Sequence, residues 1–203
     1  SKTGIGQSDL ASLACAGYHR RMHRLFVAIR PPAAPIAVLR SLMHGVEGAR
    51  WQDESQLHIT LRFIGEVDAR QADDVAAALG RLSFAPFRIA FAGVGRFDQR
   101  GHVNALWAGI SPREPLDHLH RKIDRLCVGA GLPPERRAYL PHITLARLGR
   151  NGGPTDMFLA RHGGFATPTF LVDQLLLFES ILGADGATYH VVGRYLADRL
   201  RTR

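Results

Sequence analysis

Cysteine is nearly missing from the 203-residue chain: Cys15 and Cys127 are the only two, with no Cys-x-x-Cys pair and no zinc-type spacing. That excludes a disulfide scaffold and thiolate metal knuckles, and makes a reducing cytoplasm the expected compartment. Long apolar runs are missing too. Phe170-Leu171-Val172 and Leu175-Leu176-Leu177-Phe178 are split by Asp173 and Gln174 and fall far short of a bilayer span, so no membrane association is predicted. Acidic residues are outnumbered, 18 against 26 Lys and Arg, for a formal charge of +8 and a pI of about 10.4. This balance favours polyanionic partners or phosphorylated substrates. The positive charge is mostly arginine and scattered, which points to a phosphate pocket rather than a long duplex-binding stripe.

Recognisable cofactor signatures are lacking as well. The glycines at 93, 95, 152 and 153 do not follow the strand, Gly-rich loop, helix order of a nucleotide fingerprint and read as turns. His118 and His120 are two apart on a predicted helix and diverge; His19 and His23 have ligand spacing but straddle the start of the first strand. No metal and no cofactor are expected.

What is present is ample for a core, with 46% hydrophobic residues. Residues 1–21 carry no sustained apolar stretch and read as an added or poorly structured extension. Met22 then starts a strand, and 22–203 is expected to form a single domain. Leu25 to Ile29 reads as a strand closed by Pro31-Pro32, and Pro35 to Met43 as a helix. Gln56 to Gly65 alternates as a strand, and Asp68 caps a helix running to about Leu82. Strands follow at Phe87 to Phe91 and Val103 to Ile110, and a helix at Leu116 to Leu126. A short helix is predicted near Asp156 to Arg161, then strands at Phe170 to Phe178 and Tyr189 to Leu196, the last two as a closing hairpin. The order implies an α+β fold, bilobal and pseudo-symmetric.

The strongest signal is a repeat. Leu57-His58-Ile59-Thr60-Leu61-Arg62 and Pro141-His142-Ile143-Thr144-Leu145-Ala146 are near copies, each set in a β-prone run. Residues two apart on a strand share a face, so His58 lies with Thr60 and His142 with Thr144. Two imidazoles can supply a base and an acid to one in-line displacement, and two hydroxyls can donate to developing phosphoryl charge. This chemistry needs no metal. Which histidine is the acid is left open by the residues themselves.

With its surroundings, the repeat resembles the 2H phosphoesterase superfamily, in particular the RNA 2′,3′-cyclic phosphodiesterase (2′-5′ RNA ligase) family. The likeness runs from Arg24-Leu25-Phe26-Val27-Ala28-Ile29 through the first motif with Phe63-Ile64-Gly65-Glu66-Val67. It continues through Leu106-Trp107-Ala108-Gly109 and the second motif with Arg147 to Leu177-Phe178-Glu179-Ser180, about residues 22–198. It implies two antiparallel sheets facing a central cleft with helices outside. The implied reaction opens a terminal 2′,3′-cyclic phosphate to a 2′-phosphomonoester without a cofactor. By position, His58 would be the proton donor and His142 the proton acceptor, with Thr60, Thr144 and Arg147 binding substrate.

Strict alternation from His142 puts Arg147 on the opposite face, so it needs a bulge or the strand's end to reach the cleft. Arg62 alternates onto the His58 face, where a solvent-facing strand charge accounts for it. Phe26 and Trp107 read as core, with base stacking as the alternative. The expected partners are RNA ends or small cyclic-phosphate nucleotides, with no obligate protein partner. Reversible 2′-5′ RNA ligation in the same cleft and a non-catalytic RNA-end binding module are the competing readings.

Overall fold

The structure is a computed structural model that describes residues 22–183 and 186–198. The predicted extension over 1–21, with Cys15 and His19, lies outside the described residues. The first strand, β1 (His23–Ile29), sends Leu25, Val27 and Ile29 to one face and Phe26 and Ala28 to the other. A short helix α1 (Ala33–Arg40) and strand β2 (Ala49–Trp51) lead to β3 (Ile59–Val67) and helix α2 (Ala69–Leu79). The predicted cap of α2 is present: the Asp68 carboxylate accepts from the Gln71 N–H at 2.9 Å. A long hairpin of β4 (Phe87–Gln99) and β5 (His102–Ser111) precedes helix α3 (Glu114–Gly129) and β6 (His142–Leu148). Helix α4 (Asp156–His162), β7 (Phe170–Val172) and the hairpin of β8 (Gln174–Gly183) and β9 (Gly186–Leu196) complete the described elements.

These strands form one curled antiparallel sheet in the order β7-β4-β5-β6-β3-β1-β8-β9, with β2 paired to β6. The two predicted sheets are its two halves, and a single residue pair, Ile59 with Ile143, joins them. The lobes interleave along the chain, since β8 and β9 return to β1 whereas β4 to β7 build the other lobe. The main core packs α2 and α3 through Val75, Leu79, Leu116, Leu119 and Ile123 against Leu25, Val27, Leu57, Ile59 and Leu61. A smaller cluster of Phe26, Ala28, Leu176 and Phe178 covers the other face of β1 and β8.

Three sequence readings are corrected. The expected strand Phe170 to Phe178 breaks at Asp173: β7 pairs with β4 in one lobe, and β8 with β1 in the other. Gly93 and Gly95 are not turns but interior positions of β4. Gly93 (φ 68°) sits where the pairing with β5 skips, the left-handed geometry of a bulge. At Gly95 a Cβ would lie 2.2 Å from the Trp107 ring, so only glycine lets the indole lie flat on the sheet. Arg62 is neither on the His58 face nor solvent-facing. It is 6% exposed behind the sheet, donating to Asp124 at 2.8 Å and to the Pro133 carbonyl at 2.6 Å.

Candidate active site

Both histidines stand at the seam between the lobes, flanking the Ile59–Ile143 pair. Continuing that antiparallel register by one residue sets His58 opposite Thr144 and Thr60 opposite His142, so the two motifs are related by a local pseudo-twofold axis. All four side chains are half-buried.

The copies match in their hydrogen bonding. His58 Nδ1 meets the Gln56 carbonyl at 2.7 Å, and His142 Nδ1 meets the Leu140 carbonyl at 2.7 Å. A carbonyl only accepts, so Nδ1 carries the proton in each ring and Nε2 is left with a lone pair or, when charged, a second proton to give. The sequence prepares the first of these bonds locally. Asp53 and Gln56 form a capping box over a 3₁₀ turn at Glu54–Gln56, which holds the carbonyl that orients His58.

The rings rest on aromatic walls. His58 lies 4.9 Å from the Phe26 ring and 5.1 Å from Tyr189; His142 lies 4.9 Å from Phe97 and 6.2 Å from Trp107. Burial against them disfavours the imidazolium and lowers the pKa of His58 to about 4. The Gln56 carbonyl opposes the shift, while the positive charges of His142, Arg147 and Arg30 add to it. His142 is lowered by the same causes, burial first, then Arg147, against the Leu140 carbonyl.

This has a consequence for stability. The unfolded chain protonates His58 as pH falls through 6.5, but the folded chain does so only near 4, so the folded state loses about 3 kcal/mol across that window. Urea unfolding of wild type and His58→Phe at pH 7 and pH 4 checks this: the variant is expected to lose less stability on acidification. Equal losses would show that His58 is not held neutral by the fold.

Arg147 reaches the cleft through a bulge. In the β5–β6 pairing Trp107 faces Thr144 and Leu106 faces Ala146, so Leu145 is the extra residue and parity flips after it. The side chain is exposed, and its charge acts on both histidines. The first motif has the same device: Ala28 faces Thr60 and Val27 faces Arg62, leaving Leu61 extra. That is why Arg62 turns to the helix side and Phe63 to the cleft. The carbonyls at this bulge are held from behind, Leu61 O by His120 Nδ1 at 2.7 Å and Thr60 O by the Tyr139 hydroxyl at 3.3 Å. His120, read as a divergent helical histidine, therefore holds the bulge carbonyl of the motif strand.

Phe63 was not singled out from the sequence. It is 58% exposed, 6.0 Å from the Phe26 ring, and fifth after His58 as Arg147 is fifth after His142. The signal was that shared offset. Phe26 itself is 3% exposed and forms the floor under His58, and Trp107 is half-buried against Gly95 with an indole N–H that has no partner among the described residues. Neither threonine hydroxyl is engaged by another described residue. Among the described residues no three His, Cys, Asp or Glu side chains converge as metal ligands, and no helix is long and apolar enough to cross a membrane.

A neutral imidazole on each side, with two hydroxyls and an arginine that no other described residue engages, suits in-line attack at a phosphodiester, and known proteins share the frame. The chain is 30% identical over 152 residues to an RNA 2′,3′-cyclic phosphodiesterase of Aeropyrum pernix, covering 73% of this chain and 86% of that protein. It is 29% identical over 172 residues to one from Archaeoglobus fulgidus, covering 82% and 96%. A match to one from Geobacillus stearothermophilus spans 42% of that protein's length. The solved structure of TT0787 of Thermus thermophilus superposes with TM-score 0.73 at 26% identity, covering 85% of this chain and 97% of that one. E. coli LigT complexed with 3′-AMP shares the fold at TM-score 0.72 and 24% identity, covering 88% and 100%. The family model of the 2′-5′ RNA ligase superfamily matches residues 26–182, a span that takes in both histidine motifs and the bulges behind them, and the chain belongs to that superfamily.

Proposed function

We propose that this protein hydrolyses the terminal 2′,3′-cyclic phosphate of RNA to a 2′-phosphomonoester, without a metal, in the cleft between the two histidines. The observation that carries it is the pair of Nδ1-anchored imidazoles related by a pseudo-twofold axis. The curated relatives named as RNA 2′,3′-cyclic phosphodiesterases support the substrate class. A reducing cytoplasmic setting fits the buried, unpaired thiol of Cys127.

The asymmetry of the two lobes bears on the roles. Phe63 offers an exposed ring for a nucleobase on the His58 side, and Arg147 offers a guanidinium for the phosphate on the other strand. A nucleoside stacked on Phe63 brings its 3′ oxygen to His58 and leaves the opposite face of phosphorus to water beside His142. His142 Nε2 takes a proton from that water as its oxygen bonds to phosphorus. The bond from phosphorus to O3′ breaks, and His58 Nε2–H protonates the departing oxygen. Thr60, Thr144 and Arg147 donate to the non-bridging oxygens as charge builds there.

Both histidines are neutral in the free protein at pH 7, so the acid's proton has to be taken up with the substrate. The anionic phosphate beside two imidazoles supplies the driving force by raising their pKa on binding. The same stations would join a 5′ hydroxyl to the cyclic phosphate if that hydroxyl took the place of water: His142 would accept its proton, the 5′ oxygen would bond to phosphorus, and O3′ would depart with the proton from His58 to leave a 2′-5′ linkage, whose cleavage exchanges the two roles.

The deciding experiment incubates the protein, with chelator present, with RNA ending in a 2′,3′-cyclic phosphate and identifies the product's phosphate position. A 2′-phosphate is expected; a 3′-phosphate, or RNA bound but unchanged, would overturn the reading, and loss of activity with chelator would remove metal independence. Phe63→Ala is expected to raise KM on the order of tenfold, as one lost base stack requires, with a smaller change in kcat. An unchanged KM would take Phe63 out of substrate binding.

A further inference from the structure

Beyond the two histidines, a groove of about 480 Å³ opens where the β4–β5 hairpin tip meets the end of β6, lined by Gln99, Arg100, His102, Asn104, Gly149 and Arg150. Strand register connects it to the reaction centre. Ala105 lies opposite Arg147, so the next residues, Asn104 and Leu148, put the groove's inner wall one step beyond that arginine. On the other edge of β6, Arg50 of β2 lies directly opposite Arg147 and shares its face.

Four arginines gather along this track. Arg50, Arg147, Arg100 and Arg150 have no carboxylate partner among the described residues, although like charges facing each other across strands are destabilising. An anion lying along them would remove that repulsion.

Two further observations mark the groove itself. The Asn104 amide donates to Gln99 at 3.2 Å, but its oxygen is buried with no partner among the described residues. A buried acceptor in that state is met by a donor from a water or another small group in the groove wall. Arg100 holds φ at 53° in the two-residue turn with Gly101, a position where asparagine or aspartate is the ordinary choice. Its side chain, not its backbone preference, accounts for an arginine at the tip.

We propose that this groove is a second nucleotide site, taking a phosphodiester that flanks the reacting one on Arg100 and Arg150, which makes the preferred substrate a polynucleotide rather than a free nucleotide. The proposal rests on the phosphodiesterase reading of the cleft. The flanking phosphate has two sources: the strand that carries the cyclic phosphate, or a second strand whose 5′ hydroxyl takes the place of the attacking water.

The test is the double variant Arg100→Asn/Arg150→Gln, with kcat/KM measured on three substrates. One is a 2′,3′-cyclic mononucleotide. The second is an oligonucleotide ending in the cyclic phosphate, which reports the upstream strand. The third is an oligonucleotide with a 2′-5′ linkage after its first nucleoside, which reports the downstream strand. Wild type is expected to prefer one oligonucleotide over the mononucleotide. The variant is expected to lose about tenfold on that oligonucleotide, to keep its mononucleotide rate, and to show a salt slope shallower by about two. The arm that falls names the strand.

No oligonucleotide preference in wild type, or equal losses on all three substrates, would overturn the proposal. If wild type turns over none of them, the cleft reading fails and the groove is judged by anisotropy titration with labelled RNA. Binding about tenfold weaker in the double variant would then support the groove, and equal binding would overturn it.

Discussion

Alanine at either His58 or His142 is expected to lower kcat on a 2′,3′-cyclic mononucleotide by about 10²–10⁴-fold, the range a positioned acid or base supplies. Because the proposed roles belong to one displacement, the double variant is expected to be little worse than the poorer single one. Each substitution also has its own signature. With a nitrophenyl phosphodiester the departing phenolate needs no proton, so His58→Ala should recover most of its activity and His142→Ala should not. The opposite pattern would exchange the two roles, and full activity in either variant would remove that histidine from the mechanism.

The pH profile of wild type follows from the lowered pKa values. In the proposed scheme the active free enzyme holds one proton on the pair, and burial lowers the pKa of both members, so kcat/KM is expected to peak below pH 6.5 and fall through neutrality. The profile of kcat, which reports the complex with the phosphate bound, should lie at higher pH. Superimposable profiles would mean that substrate charge does not load the acid.

Arg147→Ala is the second large effect, a loss of about 10²–10³-fold in kcat, the scale of removing a donor aimed at developing charge. Arg147→Lys should restore the charge but not a two-pronged contact, and fall between. A purely structural role predicts no movement of the pH profile. The electrostatic role predicts one, because Arg147 depresses both histidines, and its removal should shift the kcat/KM optimum upward.

Much of this site could be read from the residues alone. Two-residue periodicity puts His58 with Thr60 and His142 with Thr144, because side chains on a strand alternate whatever the strand packs against. The near-identity of the copies announces two matched stations. The same rule failed three residues later in both copies: extra residues at Leu61 and Leu145 reverse parity, sending Arg62 behind the sheet and Phe63 and Arg147 into the cleft. A bulge is set by the pairing partner, β1 for one and β5 for the other, and partners far along the chain leave no local mark. The break at Asp173 is of the same kind, since β7 and β8 differ in which lobe they join, not in their composition.

Local chemistry along the chain was thus enough to frame the proposed reaction: apolar alternation makes the strands, and a repeated His-x-Thr on them offers the proposed acid, base and hydroxyls. Long-range pairing settled the rest. The meeting of Ile59 with Ile143 sets the two motifs against each other, aromatic walls drawn from β1, β4, β5, β8 and β9 hold the imidazoles neutral, and the bulges choose which side chains face the cleft. Burial and register depend on residues remote in sequence, so they exist only once the chain has folded.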